Sequence, residues 1–467
     1  MAEKKKSTDL AKDPLGRLLL KLAFPAILAQ VVNMLYNIVD RIYIGHIPDT
    51  GAIALTGIGL CLPVILVIMA FSALAGIGGA PRAAIYMGKQ DMDSANKTLG
   101  SCTLMLLGLA VVLTAVFLAF GKPLLFLFGA SEATIPYAWG YLRIYVCGTL
   151  FVMISMGLNS FITTQGFSMV GMGTILIGAA SNIILDPIFI FGFGMGVSGA
   201  ALATVLSQAV SAVWVLKFLC GKKTKLRIEK KHLQLKRDYV LPVLALGVSP
   251  FVMQATESLI NVAYNTSLYK YGGDLAVSSI TILNSVMQMI FLPLSGLTQG
   301  AQPIISYNFG AGNEERVKKA FRLLIASSLT FVTVGWGLVM GFPGLFVRMF
   351  NSSSVELYEM ASWAMRIYMA GFFTMGAQIA CQQTFLALGQ AKASLFFACF
   401  RKIILMIPLI FLLPMFMENK LMAVFLAEAV SDAAAATATT VTFLILFPKI
   451  LRKGSATEPI PKTHVKR

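Results

Sequence analysis

Residues 53–80 read IALTGIGLCLPVILVIMAFSALAGIGGA, without one charged side chain. At about 1.5 Å per residue, a helix of this length outspans the roughly 30 Å hydrocarbon core of a bilayer. The run is too long for a barrel strand and lacks the alternation that one would show. Similar runs extend outward from it at 18–44, 98–121, 137–160, 171–193, 197–219, 239–268, 275–306, 321–347, 361–387, 394–415 and 421–448. Twelve membrane helices are predicted, and with them an all-α polytopic membrane protein. Composition agrees, since 57% of the 467 residues are hydrophobic and 13% are charged, against about 25% charged in soluble domains. That excludes disorder, fibrous repeats and almost any soluble enzyme. The first run contains Pro25 and Asp40 and lacks a small-residue cleavage site, so it reads as an uncleaved span instead of a signal peptide.

The net charge of +17 would suggest nucleic acid on a soluble chain. Here the basic residues sort by side. With an even number of spans and both termini inside, 29 of the 38 fall in inner segments, and the outer loops carry only Lys122, Lys270, Arg348 and Lys420. This is the positive-inside bias. The charge therefore encodes orientation, contact with anionic membrane lipid is expected, and no nucleic-acid partner is expected. The six cysteines form no CxxC and the three histidines are isolated, so no metal cofactor is expected.

The two halves repeat. Arg143-Ile144-Tyr145 with Gly148 recurs as Arg366-Ile367-Tyr368 with Gly371, Pro81 and Gly88 recur as Pro303 and Gly310, and Ala209-Val210-Ser211 recurs as Ala429-Val430-Ser431. The offset stays near 222 throughout. Six helices separate the copies, so both have the same orientation, related by a pseudo-two-fold along the membrane normal. Parallel repeats of this kind build transporters. The predicted organisation is a cytoplasmic tail 1–17, a first lobe 18–219, a basic and solvated cytoplasmic linker 220–238, a second lobe 239–448 and a cytoplasmic tail 449–467.

Ionisable residues inside spans are costly and mark function by default. They are Asp40, Asp186, Glu257, Glu428 and Asp432. Asp40 lies 22 residues after Leu18 and Asp186 15 after Gly171, both in outward-running spans, so both belong in the outer half of the membrane. Asn182 is one turn from Asp186 and Tyr36 one turn from Asp40. Thr204, seven residues into an inward-running span, shares their depth. Asp40, Asn182, Asp186 and Thr204 thus form a hard-oxygen set suited to H⁺ or Na⁺. Two carboxylates brought together in a low dielectric cannot both stay ionised cheaply. The second half does not copy the pair: Asn265 stands for Asp40 and Ile407 for Asp186. Glu257 and Glu428 are expected to pair with Arg401 or Lys402. Pro25, about four turns before Asp40, is the favoured hinge.

Pro25 with Tyr36-Asn37-Ile38-Val39-Asp40 and Gly45, Tyr86-Met87-Gly88-Lys89-Gln90, Asn182 to Asp186-Pro187, and Tyr307-Asn308-Phe309-Gly310-Ala311-Gly312-Asn313 together resemble the multidrug and toxic compound extrusion (MATE) family. The nearest members are bacterial and MepA-like or DinF-like. The resemblance covers about residues 15–450. It implies a monomeric drug/cation antiporter of the bacterial cytoplasmic membrane, with a V-shaped central cavity. Amphipathic or cationic compounds would leave in exchange for H⁺ or Na⁺ through alternating access, with no cofactor. It further implies ion coupling at Asp40, Asp186, Asn182 and Thr204, and substrate contact at Tyr36, Asn37, Asn159, Asp40 and Asp186. Glu257 matches an acid of the NorM-like branch, but the tenth span contains no second acid. Arg143 and Arg366 are secondary candidates. A flippase for a lipid-linked or other amphiphilic substrate is the alternative, and it would require an arginine-lined cavity. A membrane enzyme would require clustered His/Asp or DDxxD residues, which the chain does not contain.

Overall fold

The computed structural model describes residues 9–48, 50–350 and 354–456. Residues 1–8 and 457–467, parts of the two expected tails, lie outside the described residues. Fifteen α-helices run along the chain: α1 Leu15–Gly45, α2 Gly51–Gly88, α3 Met92–Leu127, α4 Ile135–Cys147, α5 Thr149–Thr164, α6 Ser168–Pro187, α7 Gly196–Leu219, α8 Arg237–Gly310, α9 Glu314–Gly341, α10 Pro343–Arg348, α11 Val355–Tyr368, α12 Met375–Ala387, α13 Ala391–Cys399, α14 Ile407–Phe416 and α15 Lys420–Ala456. No strand occurs among the described residues.

These helices reduce to the twelve expected spans. Among the described residues nine helical segments are long and apolar enough to cross a membrane, and the α4–α5 pair, bent by 57°, adds one broken span. α8 is two spans joined at Gly273, whose φ of +62° suits glycine and turns the chain. α11 and α12 form the remaining span, interrupted by a short 3₁₀ turn at Phe372–Thr374.

The breaks in the fourth and tenth spans fall on Gly148 and Gly371, repeat mates in the sequence. A Cβ at Gly148 would come within 2.5 Å of Val205 Cγ2 on α7, and one at Gly371 would strike the Ala429 carbonyl on α15. Each bend therefore lets a neighbouring helix press onto bare backbone. The eleventh span repeats a second irregularity of the fifth. A π turn at Ile188–Gly192 follows Pro187, and another at Phe400–Met406 precedes Pro408. Proline removes a donor from the helical ladder, and wider turns of this kind recur at functional sites.

The helices gather into two compact units. One consists of 22–80 and 96–262. The other consists of 9–21, 81–95 and 263 to the end of the described chain. α2 thus contributes to both. Within the second unit the ends of α2 and α8 meet backbone to backbone. A Cβ at Gly88 would strike the Tyr307 carbonyl, and one at Gly310 the Ile85 carbonyl. Arg316 reaches the Leu10 and Asp13 carbonyls at 3.2 and 2.9 Å and ties down the chain ahead of α1.

The basic stretch 220–238 is packed where a solvated linker is expected. Gln165 Oε1, at the end of α5, accepts from Thr224 Oγ1, Lys225 N and Leu226 N at 2.7–2.8 Å. Asn96 and Ser101 on α3 bind Arg227 N and the Gln234 carbonyl. Thr224, Leu226 and His232 are buried, while the lysines between them face solvent. Hydropathy registers the lysines but not the side-chain bonds that hold their backbone.

Candidate functional site

Within the first unit, α1, α6 and α7 bring Asp40, Asn182, Asp186 and Thr204 together. Asn182 and Asp186 share one face of α6, one turn apart, and are 1% and 0% exposed. Asn182 Nδ2 donates to Asp186 Oδ1 at 3.1 Å and to Thr204 Oγ1 at 3.4 Å. The Asp40 carboxyl on α1 is adjacent to that of Asp186.

Three oxygens of this cluster are buried without a donor among the described residues: Asp40 Oδ1, Asn182 Oδ1 and Asp186 Oδ2. Buried acceptors without donors cost free energy. The cost is removed by a shared proton or by a small hard cation coordinated by oxygen. Arg41, next in the chain to Asp40, contributes a positive field, but its side chain is exposed. Asp40, Asn182, Asp186 and Thr204 therefore have the donor chemistry to hold either H⁺ or Na⁺. Among the described residues no cluster of three or more His, Cys, Asp or Glu side chains offers a transition-metal site.

Three tyrosines lie near the cluster. Tyr36, one turn before Asp40, lies within electrostatic reach of both aspartates. Tyr141 and Tyr145 on α4 stack with ring centroids 6.0 Å apart and lie within electrostatic reach of Tyr36, and Tyr141 also of Asp40. Sequence reasoning missed these two as site residues and used Tyr145 only as a mark of the repeat. Their i, i+4 spacing flanking Arg143 was the available signal.

The other candidates lie elsewhere. Asn159 does not join the aspartates: its Nδ2 donates to the Gly171 carbonyl at 3.3 Å and its Oδ1 accepts from Thr174 Oγ1 at 2.9 Å, which ties α5 to α6. Asn37 is exposed and bonds back to the Asn33 carbonyl. Pro25 is buried in an unbroken α1. Glu257 and Arg143 are exposed on α8 and α4, and Arg366 is exposed on α11.

In the second unit the acids have a resident partner. Arg401 Nη2 lies 2.8 Å from Asp432 Oδ1 and 3.2 Å from Glu428 Oε1. Its Nε also bonds Asp432, at 2.9 Å. Tyr264 donates to Glu428 Oε2 at 3.0 Å, and Tyr368 to Asn284 Oδ1 at 2.8 Å. The π turn at Phe400–Met406 carries Arg401, and Ser431 fixes the Arg401 carbonyl at 3.1 Å.

Comparison with known proteins agrees with the repeat and the fold. The MatE family model matches the chain twice, at residues 25–188 and 250–412, once in each half. The multidrug export protein MepA of Staphylococcus haemolyticus (strain JCSC1435) is 26% identical over 391 residues, covering 84% of this chain and 85% of its own length. MepA of Staphylococcus aureus (strain NCTC 8325 / PS 47) is 27% identical over 405 residues, covering 86% and 88%. The fold is similar to an outward-facing multidrug resistance MATE family transporter of the MOP superfamily, with a TM-score of 0.88, 22% identity, and coverage of 96% of this chain and 100% of the other. It is also similar to a MATE transporter crystallised with MaD3S, with a TM-score of 0.89, 21% identity and the same coverage. With both halves matched, the chain belongs to the MatE family of multi-pass membrane transporters and is not an enzyme.

Proposed function

We propose that this protein is a secondary active multidrug exporter in a bacterial cytoplasmic membrane. Amphipathic or cationic compounds leave in exchange for H⁺ or Na⁺. The observation that carries this reading is the set of three donorless oxygens on Asp40, Asn182 and Asp186. A carboxylate pair without a resident cation changes charge when an external ion occupies it. Its negative charge attracts a cationic compound while the pair is empty of ions. Binding of H⁺ or Na⁺ from outside removes that attraction and releases the compound. The MepA relatives, named as multidrug exporters, support the substrate class, and the 29-to-4 distribution of basic residues supports cytoplasmic termini. A flippase would need several free arginines around one cavity, whereas Arg401 is already bound to two acids.

Dye efflux from proteoliposomes under an imposed pH or Na⁺ gradient tests the reading. Efflux should require one of the two gradients and should be lost in Asp40→Asn and Asp186→Asn. Undiminished gradient-driven efflux in either variant would overturn the assignment of the coupling site.

A further inference from the structure

Arg143 and Arg366 are repeat mates and both are exposed, yet their surroundings differ. Trp139 stands one turn before Arg143, and its ring packs over Gly121, where a Cβ would come within 2.8 Å of Trp139 Cζ3. At the same offset of 223 the second half has Ser362 and Gly344. There Tyr358 covers Gly344, and a cavity of about 560 Å³ lies where α9 ends, beside α10 and α11. Phe342, Leu345, Trp363 and Ile367 form apolar walls, and Arg366 lines the cavity with Tyr358 and Ser362. Ser362 Oγ is buried without a hydrogen-bond partner among the described residues. The Arg348 guanidinium sits 5.0 Å from the centroid of the Tyr358 ring. Phe342 and Leu345 are each 63% exposed, so the groove opens onto the apolar surface of the helices.

An arginine within a membrane span that makes no ion pair among the described residues is expensive and calls for a partner. Side chains lean toward the start of their helix, which aims the Arg366 guanidinium at the membrane-surface end of α11 and lays its stem along the groove. We propose that this groove binds a membrane phospholipid. The phosphodiester pairs with Arg366 and accepts a hydrogen bond from the Ser362 hydroxyl, and an acyl chain lies along Phe342, Leu345 and Trp363. A guanidinium matches phosphate oxygens in a forked, charge-assisted arrangement. Glu356 and Glu359, exposed on the first turns of α11, disfavour a multiply charged anion, whereas a phosphodiester carries a single charge. In the first half Trp139 stands at the position of Ser362, and no hydroxyl is available there to a phosphodiester beside Arg143.

The test uses the purified full chain in detergent and follows its thermal unfolding midpoint. Short-chain phosphatidylglycerol should raise the midpoint saturably. A short-chain diacylglycerol, which lacks the phosphate, and inorganic phosphate, which lacks the chains, should not. Arg366→Gln and Ser362→Trp should each raise the half-saturating lipid concentration by roughly tenfold or more, and Arg143→Gln should leave it unchanged. Ser362→Trp retains Arg366 and introduces the side chain that the other half accommodates at this place, so it decides the question if Arg366→Gln fails to fold. Equal stabilisation by diacylglycerol or by phosphate alone would overturn the proposal, as would an unchanged lipid response in Ser362→Trp. Each readout is independent of gradient-driven efflux, so the lipid site and the coupling site fail separately.

Discussion

Asp40 and Asp186 lie side by side with buried oxygens that no donor among the described residues satisfies. In the other unit Glu428 and Asp432 share Arg401 at 3.2 and 2.8 Å. Both pairs confront the same cost, since a bare carboxylate in a low dielectric is strongly disfavoured. One pair meets that cost with a cation fixed to the chain, so its charge balance stays constant. The other lacks a fixed cation, and on the proposed function its charge would follow the ions outside. The difference separates a structural ion network from a site able to exchange. The proposed coupling chemistry would then belong to one half of a duplicated chain: Asp40 and Asp186 have Asn265 and Ile407 as mates, while Arg401, Glu428 and Asp432 belong to the second half alone.

Substitutions should divide along the same line. Asp186→Asn removes a charge that has no fixed partner. Efflux should fall to that of protein-free liposomes while expression and thermal stability hold, read by dye release and unfolding of the same preparation. Arg401→Gln should do the reverse to stability, because it leaves two buried carboxylates uncompensated at a cost of about 3–5 kcal/mol. Combining Arg401→Met with Glu428→Gln and Asp432→Asn should restore most of that loss in the same unfolding assay. Asn182→Ala removes the donor to both Asp186 and Thr204. A charge-assisted hydrogen bond is worth about 1.5–3 kcal/mol, so the ion concentration at half-maximal efflux should shift roughly tenfold: to higher Na⁺ if Na⁺ couples, because the Oδ1 ligand is lost, and to lower H⁺ if H⁺ couples, because the ionised Asp186 carboxylate loses its donor. Asn159→Ala should have the smallest effect. It costs about 1 kcal/mol through the lost tie between α5 and α6 and leaves that half-maximal concentration unchanged. A shift as large as that of Asn182→Ala would place Asn159 in the coupling site after all.

The twelve spans were legible because each needs only a long apolar run, and the repeat because short matches kept one offset. The bends at Gly148 and Gly371 were not legible, since hydropathy continues through both; the close approach of α7 and α15 makes them necessary. Asn182 beside Asp186 follows from helical spacing alone. That Asp40 meets them depends on how α1 packs against α6, and shared depth could suggest this without fixing it. Glu428 and Asp432 are also one turn apart, but their common partner Arg401 sits on a π turn whose register a regular 3.6-residue period does not describe. The linker was misread for a related reason. Gln165 lies about sixty residues away, and no local pattern announces a glutamine that will bind three donors.

Ion-driven efflux in proteoliposomes, measured in parallel on the wild type, Asp40→Asn and Asp186→Asn, most directly tests the claim that the uncompensated pair couples transport. Substrate accumulation against its gradient should occur only in the wild type, and only while the H⁺ or Na⁺ gradient is maintained. Undiminished gradient-driven accumulation with either aspartate neutralised would contradict the account.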